Sequence, residues 1–157
     1  MIGLAALALP GQALALSCMP YPPTVAYETA DASDKIYSVV RGSFTYDAEG
    51  APSGYDEAAP EDDWLTNGHI TGNMLTPEGY STPVDADVVV VISCVGPWCP
   101  TLAQDDDALM FVRQEAGGKA LYLDVGACQS NVFTGIEEKA FEDMQACMAG
   151  ACPDWNP

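Results

Sequence analysis

The chain has 157 residues, a length that suits one domain with a hydrophobic core of its own. It carries 23 Asp and Glu against 5 Lys and Arg, for a formal net charge of −18. A surface so negative repels phosphate backbones and anionic lipids, so nucleic-acid binding and peripheral membrane docking are disfavoured. Solubility alone accounts for this charge, which would also attract cationic partners.

The N-terminal segment, residues 1–15, is uncharged and mainly apolar, which predicts a secretory signal peptide. Small residues at Ala13 and Ala15 occupy the two positions that a signal peptidase recognises, so we expect cleavage after Ala15. Cleavage after Ser17 is the second choice, and acylation of Cys18 as a lipoprotein is the third. The segment is too short to span a membrane, and no later segment is long and apolar enough. We therefore predict export to the periplasm or the medium.

The remaining sequence predicts five strands and two helices. A short helix over 24–33 precedes a long strand over 35–46, in which Gly42 suggests a bulge or a sharp bend, as at a barrel corner. An acidic segment over 47–67 follows and is predicted to be a solvated loop, because the spacing of a calcium-binding EF-hand is absent. The run Val88–Ile92 is apolar throughout, so we expect it to be buried on both faces. The other predicted elements are strands over 69–75, 86–93, 108–114 and 120–125 and a helix over 135–148.

Six cysteines follow the predicted signal, and an even number in an exported chain predicts disulfide bonds. Zinc sites use C-x-x-C pairs or clusters of Cys and His, whereas the close pairs here are C-x4-C and His69 is the only histidine. No metal and no cofactor are therefore predicted. The segment from Cys94 to Cys99 contains the letters of a thioredoxin active site, but the spacing is too long for that redox chemistry. The predicted disulfide cysteines are Cys18, Cys94, Cys99, Cys128, Cys147 and Cys152.

Five strands with a bent first strand and flanking short helices fit a small Greek-key barrel of the OB type. Four local features add to this pattern: the N-terminal Ser17–Pro20, the first strand Tyr37–Phe44, a strand ending in Ile92-Ser93-Cys94, and a late strand closed by Cys128. The arrangement resembles netrin-like domains, the OB-fold modules of tissue inhibitors of metalloproteases. The resemblance implies one mainly β, disulfide-stapled domain over residues 16–157, with a five-stranded barrel and a C-terminal helix.

The barrel also suggests how the cysteines pair. If successive strands alternate in direction, the third and fifth strands end at the same end of the barrel, and three cysteines meet there. A helix before the first strand would bring the first cysteine to that end, and the last two cysteines would pair locally. The expected bonds are Cys18–Cys94, Cys99–Cys128 and Cys147–Cys152, with the first two exchangeable.

The resemblance implies a binding module. The more specific function that it implies is inhibition of a protease. In those inhibitors the amine and carbonyl of an N-terminal cysteine chelate the zinc of a protease. Here that would require Cys18 to be the first residue, which cleavage after Ala15 prevents. Generic binding of another protein is therefore the leading hypothesis, with a protease as the special case. The candidate binding residues are Cys18, Met19, Pro20, Tyr21, Ser93, Val95, Pro97 and Trp98.

The sequence leaves two other functions open. A secreted hydrolase is the weaker alternative, because His69 is a lone histidine and no nucleophile elbow, P-loop or dinucleotide fingerprint occurs. No catalytic residue is therefore assigned. An envelope lipoprotein or structural protein anchored at Cys18 is the other alternative. The sequence does not indicate an oligomeric state.

Overall fold

The elements below come from a computed structural model, which describes residues 21–115, 117–128 and 131–155. The predicted signal segment and the cysteine at 18 lie outside the described residues. In the part of the chain that is described, no helix has the length and apolar character needed to cross a membrane. The elements are α1 (Pro23–Asp31), β1 (Ile36–Tyr46), β2 (Gly54–Tyr55), β3 (Trp64–Thr76), β4 (Gly79–Ser93), β5 (Trp98–Cys99), β6 (Ala108–Gln114), β7 (Leu121–Gly126), β8 (Val132–Phe133) and α2 (Glu138–Met148).

Five of these strands close into a barrel because β1 pairs on both of its sides. Residues 40–46 of β1 pair with β3, and residues 36–42 pair with β6, both antiparallel. The order is β1-β3-β4-β7-β6, with β6 returning to β1, and β4 and β7 form a parallel pair. The short β8 adds a sixth strand beside β6. The predicted mainly β barrel with a C-terminal helix is confirmed.

Gly42 lies in the part of β1 that is paired on both sides, since residues 40–42 pair with both β3 and β6. Gly42 is opposite Gly72 of β3, and the two backbones approach very closely. A Cβ built at Gly42 would lie 2.0 Å from the carbonyl oxygen of Thr71, so no other residue fits. The glycine inside the first predicted strand is therefore required by a close approach of two backbones, and the bulge or bend stays a prediction.

The barrel interior is filled by alternate side chains of its strands, as expected when successive residues point to opposite faces. In β4 the run Val88–Ile92 is buried except at Val89, which is half-buried, so the prediction of burial on both faces holds for all but that residue. The buried residues of this core are Val40, Phe44, Ile70, Val88, Val90, Ile92, Ala108, Met110, Val112, Leu123, Val125 and Val132.

A second core lies outside the barrel, where α1 and α2 pack against each other and against the wall formed by β1, β3 and β6. We call α1, α2 and this wall the helical layer. The predicted apolar stripe of the last helix supplies Phe141, Met144 and Cys147 to it. The buried residues of the helical layer are Ala26, Val39, Leu75, Leu109, Phe111, Phe141, Met144 and Cys147.

The acidic region before β4 is more regular than the sequence suggested. The predicted loop over 47–67 contains β2 and the beginning of β3, and β4 starts at Gly79 instead of residue 86. The early part of β4 can be a strand because its acids alternate with apolar residues: Asp85 and Asp87 are exposed, while Val84 and Ala86 pack against the core. This alternation is a strand pattern that is hard to recognise in an acidic sequence.

The predicted cysteine pairing is correct at one end of the chain and wrong at the other. Cys147 and Cys152 form the expected local disulfide. Cys94 is bonded to Cys99, with Cα atoms 4.3 Å apart, so neither predicted partner of Cys94 is right and the expected bond from Cys99 to Cys128 is also wrong. Cys128 is itself disulfide-bonded.

The physical reason for the Cys94–Cys99 bond is a tight hairpin. The backbone nitrogens of Val95 and Trp98 each donate to the other's carbonyl, at 2.8 and 3.2 Å. The next facing pair in an antiparallel ladder is a non-hydrogen-bonded pair, in which Cα atoms approach to about 4.5 Å. Cys94 and Cys99 occupy that pair, so the hairpin itself brings their sulfurs together.

Candidate binding surface

A two-stranded sheet of β2 and β5, extended by one isolated bridge, follows the end of β4. Tyr55 of β2 is paired with Trp98 of β5, and Trp98 is paired on its other side with Val95. The backbone nitrogen of Asp56 donates to the carbonyl of Pro97 at 2.9 Å, which extends the pairing. We call residues 54–56 and 94–99 the ribbon.

The two faces of the ribbon differ in exposure. Facing residues of an antiparallel pair project to the same side, so Val95, Trp98 and Tyr55 form one row and the Cys94–Cys99 disulfide lies on the opposite side. Cys99 is 7% exposed, whereas Tyr55 and Val95 are 58% and 55% exposed. Val95 and Tyr55 therefore face solvent, whereas Cys99 is covered.

The aromatic pair in this row is ordered by its own contact. The rings of Tyr55 and Trp98 meet edge to face, with centroids 4.8 Å apart and planes at 69°. Such pairs contribute roughly 0.5–1.5 kcal/mol beyond the area that they bury. Trp98 is half-buried and presents its remaining surface to solvent.

An open groove of about 520 Å³ lies beside the aromatic row. The turn of the hairpin forms one wall, where Gly96 has a φ of 55° that favours glycine. The carboxylates in the lining belong to Glu57 and Glu61, both of which are exposed. The lining residues are Tyr55, Glu57, Ala59, Pro60, Glu61, Cys94, Gly96 and Pro97.

Among the described residues, the acids around this groove have no cationic partner. Asp63 accepts a hydrogen bond from the hydroxyl of Ser93 at 2.6 Å, but Glu57, Glu61 and Asp62 bond to no other described residue. Among the described residues, every ion pair lies outside 56–63. These pairs are Arg41 with Asp107 and Glu138, His69 with Asp85 and Asp87, Arg113 with Glu115 and Asp124, and Lys139 with Asp143.

Two of these cations show how the chain binds a guanidinium. The Cζ atom of Arg41 lies 3.8 Å from the ring centroid of Phe141. The Nε atom of Arg41 lies 2.7 Å from Oδ1 of Asp107, and its Nη1 atom lies 2.7 Å from Oε1 of Glu138. Hydrogen bonding to this guanidinium lowers the pKa of both carboxyls. Arg113 repeats the arrangement, with its Cζ 4.3 Å from the ring of Tyr122 and its side chain bonded to Asp124.

The structure divides the predicted binding residues between two regions. Ser93, Val95, Pro97 and Trp98 lie together at or beside the ribbon. Tyr21 instead packs on the helical layer, where its hydroxyl lies 3.1 Å from that of Thr29. Cys18, Met19 and Pro20 lie outside the described residues.

Sequence reasoning missed three residues of the candidate surface, namely Tyr55, Glu57 and Glu61. All three were assigned to a solvated acidic loop. An aromatic residue within such a loop was the one available signal, and nothing in the sequence paired it with Trp98.

His69 is held between two carboxylates of β4. Its Nδ1 and Nε2 atoms lie 2.9 and 3.1 Å from oxygens of Asp87 and Asp85. The hydrogen bond with Asp87 is the main reason that the pKa of His69 is raised above its ordinary 6.5. With both ring nitrogens engaged, His69 links β3 to β4 and has no hydroxyl or thiol partner in the described structure.

Comparisons with known proteins identify no relative: no family model, curated protein or solved structure matches significantly. Among the described residues, no group of three or more His, Cys, Asp or Glu side chains is placed to hold a metal ion.

Proposed function

We propose that this protein is an exported binding module that contacts another protein through the ribbon. The observation that carries the proposal is the row of Val95, Trp98 and Tyr55 beside the Cys94–Cys99 disulfide, in which Val95 and Tyr55 are exposed and Trp98 is half-buried. Exposed aromatic residues supply much of the binding energy in protein interfaces. A ribbon already fixed by a disulfide loses little conformational entropy when a partner binds, which favours association.

The compartment is part of the same proposal. Disulfide bonds persist in oxidising compartments, which supports export to the periplasm or the medium. A lipid anchor at Cys18 is the alternative for how the exported chain is held. The five-stranded Greek-key barrel supports an OB-type assignment, and netrin-like membership stays a prediction.

The inhibitor-like form of the hypothesis is weakened by the cysteine pairing. In that form, a loop bonded to Cys18 lies beside the chelating N-terminus and widens the contact. Here Cys94 is bonded to Cys99, so the loop after β4 is not joined to Cys18 through either cysteine. Generic protein binding through the ribbon is therefore the function proposed.

Site-specific photo-crosslinking tests this function. We would place p-benzoylphenylalanine at Val95 in the exporting cells and expect a discrete adduct of higher mass. The same probe at Glu142, an exposed position on α2, should give no such adduct. The change Trp98→Ala should remove the adduct while the chain still folds. No adduct at Val95, equal adducts at both positions, or an adduct that survives Trp98→Ala would each overturn the proposal.

A further inference from the structure

The ribbon contains the same components as the two guanidinium sites, except for the cation. At Arg41 and at Arg113, a positive charge lies over an aromatic face and contacts carboxylates. Beside the ribbon, Tyr55, Glu57 and Glu61 line one groove. No Lys, Arg or His of the described chain forms an ion pair there, and none occurs in the undescribed segments.

Charge decides which occupant fits this apolar face. The segment over 56–63 contributes five acids, Asp56, Glu57, Glu61, Asp62 and Asp63, beside the aromatic row. An acidic or neutral partner would have to desolvate these carboxylates without compensation. A basic segment would instead pair with them and place its cation against an aromatic ring. The negative field would also speed its approach at low ionic strength.

We infer that the ribbon binds a basic segment of its partner, with an arginine side chain of that segment entering the groove between Tyr55 and the carboxylates of Glu57 and Glu61. Arginine fits better than lysine because its planar guanidinium stacks on rings and bonds two carboxylate oxygens at once. Apolar residues next to that arginine would pack on Val95 and Trp98. This inference rests on the proposed function and names the partner's chemistry.

The probe is a synthetic peptide of alternating arginine and glycine, titrated into the exported, disulfide-intact protein and followed by NMR. The expected result is a saturable shift of the Trp98 indole N–H, with weaker binding by the lysine counterpart and none by the glutamate counterpart. The paired change Glu57→Gln with Glu61→Gln should weaken binding at least tenfold. Raising the salt concentration should weaken it as well, because exposed charges are screened.

The matched control removes the same number of negative charges as the Glu57 and Glu61 changes, but away from the groove. Glu78→Gln with Glu142→Gln removes two exposed carboxylates that have no side-chain partner in the described structure, and should weaken peptide binding less than twofold. Equal weakening by the two pairs would show general attraction to an acidic protein and overturn the inference. Absence of a saturable shift at Trp98 would overturn it as well.

The crosslinking result separates this inference from the function on which it rests. An adduct at Val95 without arginine-peptide binding would keep the binding module and overturn the basic partner. Peptide binding without an adduct would overturn the proposed protein-binding function alone. An adduct of twice the chain's own mass would identify a second copy as the occupant and contradict the basic segment.

Discussion

In the helical layer, Phe141 is 1% exposed and its ring lies beneath the guanidinium of Arg41. In the ribbon, Tyr55 is 58% exposed and lines a groove with Glu57 and Glu61, which have no cationic partner among the described residues. Both regions combine aromatic rings with acids. They differ in whether a described residue supplies a cation. In the helical layer Arg41 supplies it and joins β1, α2 and the loop before β6. At the ribbon no described residue supplies it, and Tyr55 and the neighbouring acids are exposed to solvent.

The two short disulfides follow the same division. Each closes a segment with a sequence separation of 5. Cys147 is buried in the helical layer, so its bond fixes the end of α2 to a core. The bond from Cys94 to Cys99 fixes a turn whose other face is exposed. Disulfides of identical spacing thus fix a buried helix end in one region and an exposed turn in the other.

The largest effect that tests this comparison is on folding stability. Phe141→Ala removes a fully buried ring, and such changes cost about 3–5 kcal/mol. Val95→Ala should cost less than about 1 kcal/mol, because a side chain that is 55% exposed loses little buried area. Urea denaturation of both variants measures the two free energies of unfolding. Similar losses would show that the ribbon is part of the core and contradict the division.

The disulfides allow a matched comparison of smaller size. Replacing both cysteines of either pair by serine should lower the free energy of unfolding by about 2 kcal/mol, since the two closed loops are equally short. Only the loss of Cys94–Cys99 should also weaken binding of the arginine peptide. Urea denaturation and the NMR titration give the two quantities. Equal binding losses from both pairs would indicate that global stability, and not the ribbon, governs binding.

The smallest effect concerns pH. Because Arg41 lowers the pKa of Asp107 and Glu138 in the folded state, both carboxyls add stability above their ordinary pKa values of 3.8 and 4.5. That stability is lost as the pH falls through the lower folded values. Arg41→Met should therefore reduce stability at neutral pH and flatten its decline in acid, as measured by urea midpoints across the acid range.

The ribbon provides the control for this pH experiment. Glu61→Gln removes a carboxylate that has no cationic partner in the described chain, so the acid decline should stay as in the unchanged protein. A decline that is equally steep with Arg41→Met would show that these carboxyls contribute nothing to acid sensitivity.

Much of the barrel was predictable from local patterns. The strand over 108–114 and the long first strand appear within a residue of their predicted bounds, because apolar and β-branched runs report burial directly. Gly42 is required for a steric reason that operates at one position. The local bond from Cys147 to Cys152 was predicted from the expected course of the barrel, which set these two cysteines apart from the others.

The ribbon was not predictable in this way. β2 and β5 have two residues each, too few for any periodicity, and their pairing joins segments far apart in the chain. The bond from Cys94 to Cys99 depends on a hairpin whose register becomes visible only when Val95 and Trp98 are paired. The expected barrel, with disulfides across one end, instead predicted that Cys94 and Cys99 bond to cysteines far away in the sequence.

The sequence by itself determined an acidic, cysteine-bonded β domain with a final amphipathic helix, since charge, cysteine number and apolar periodicity are properties of the chain. The tertiary structure decided which aromatic residues are covered and which acids are paired. Those outcomes depend on contacts between distant segments: Arg41 meets Phe141 only after α2 packs on β1, and Tyr55 meets Trp98 only after the acidic segment returns to the end of the barrel.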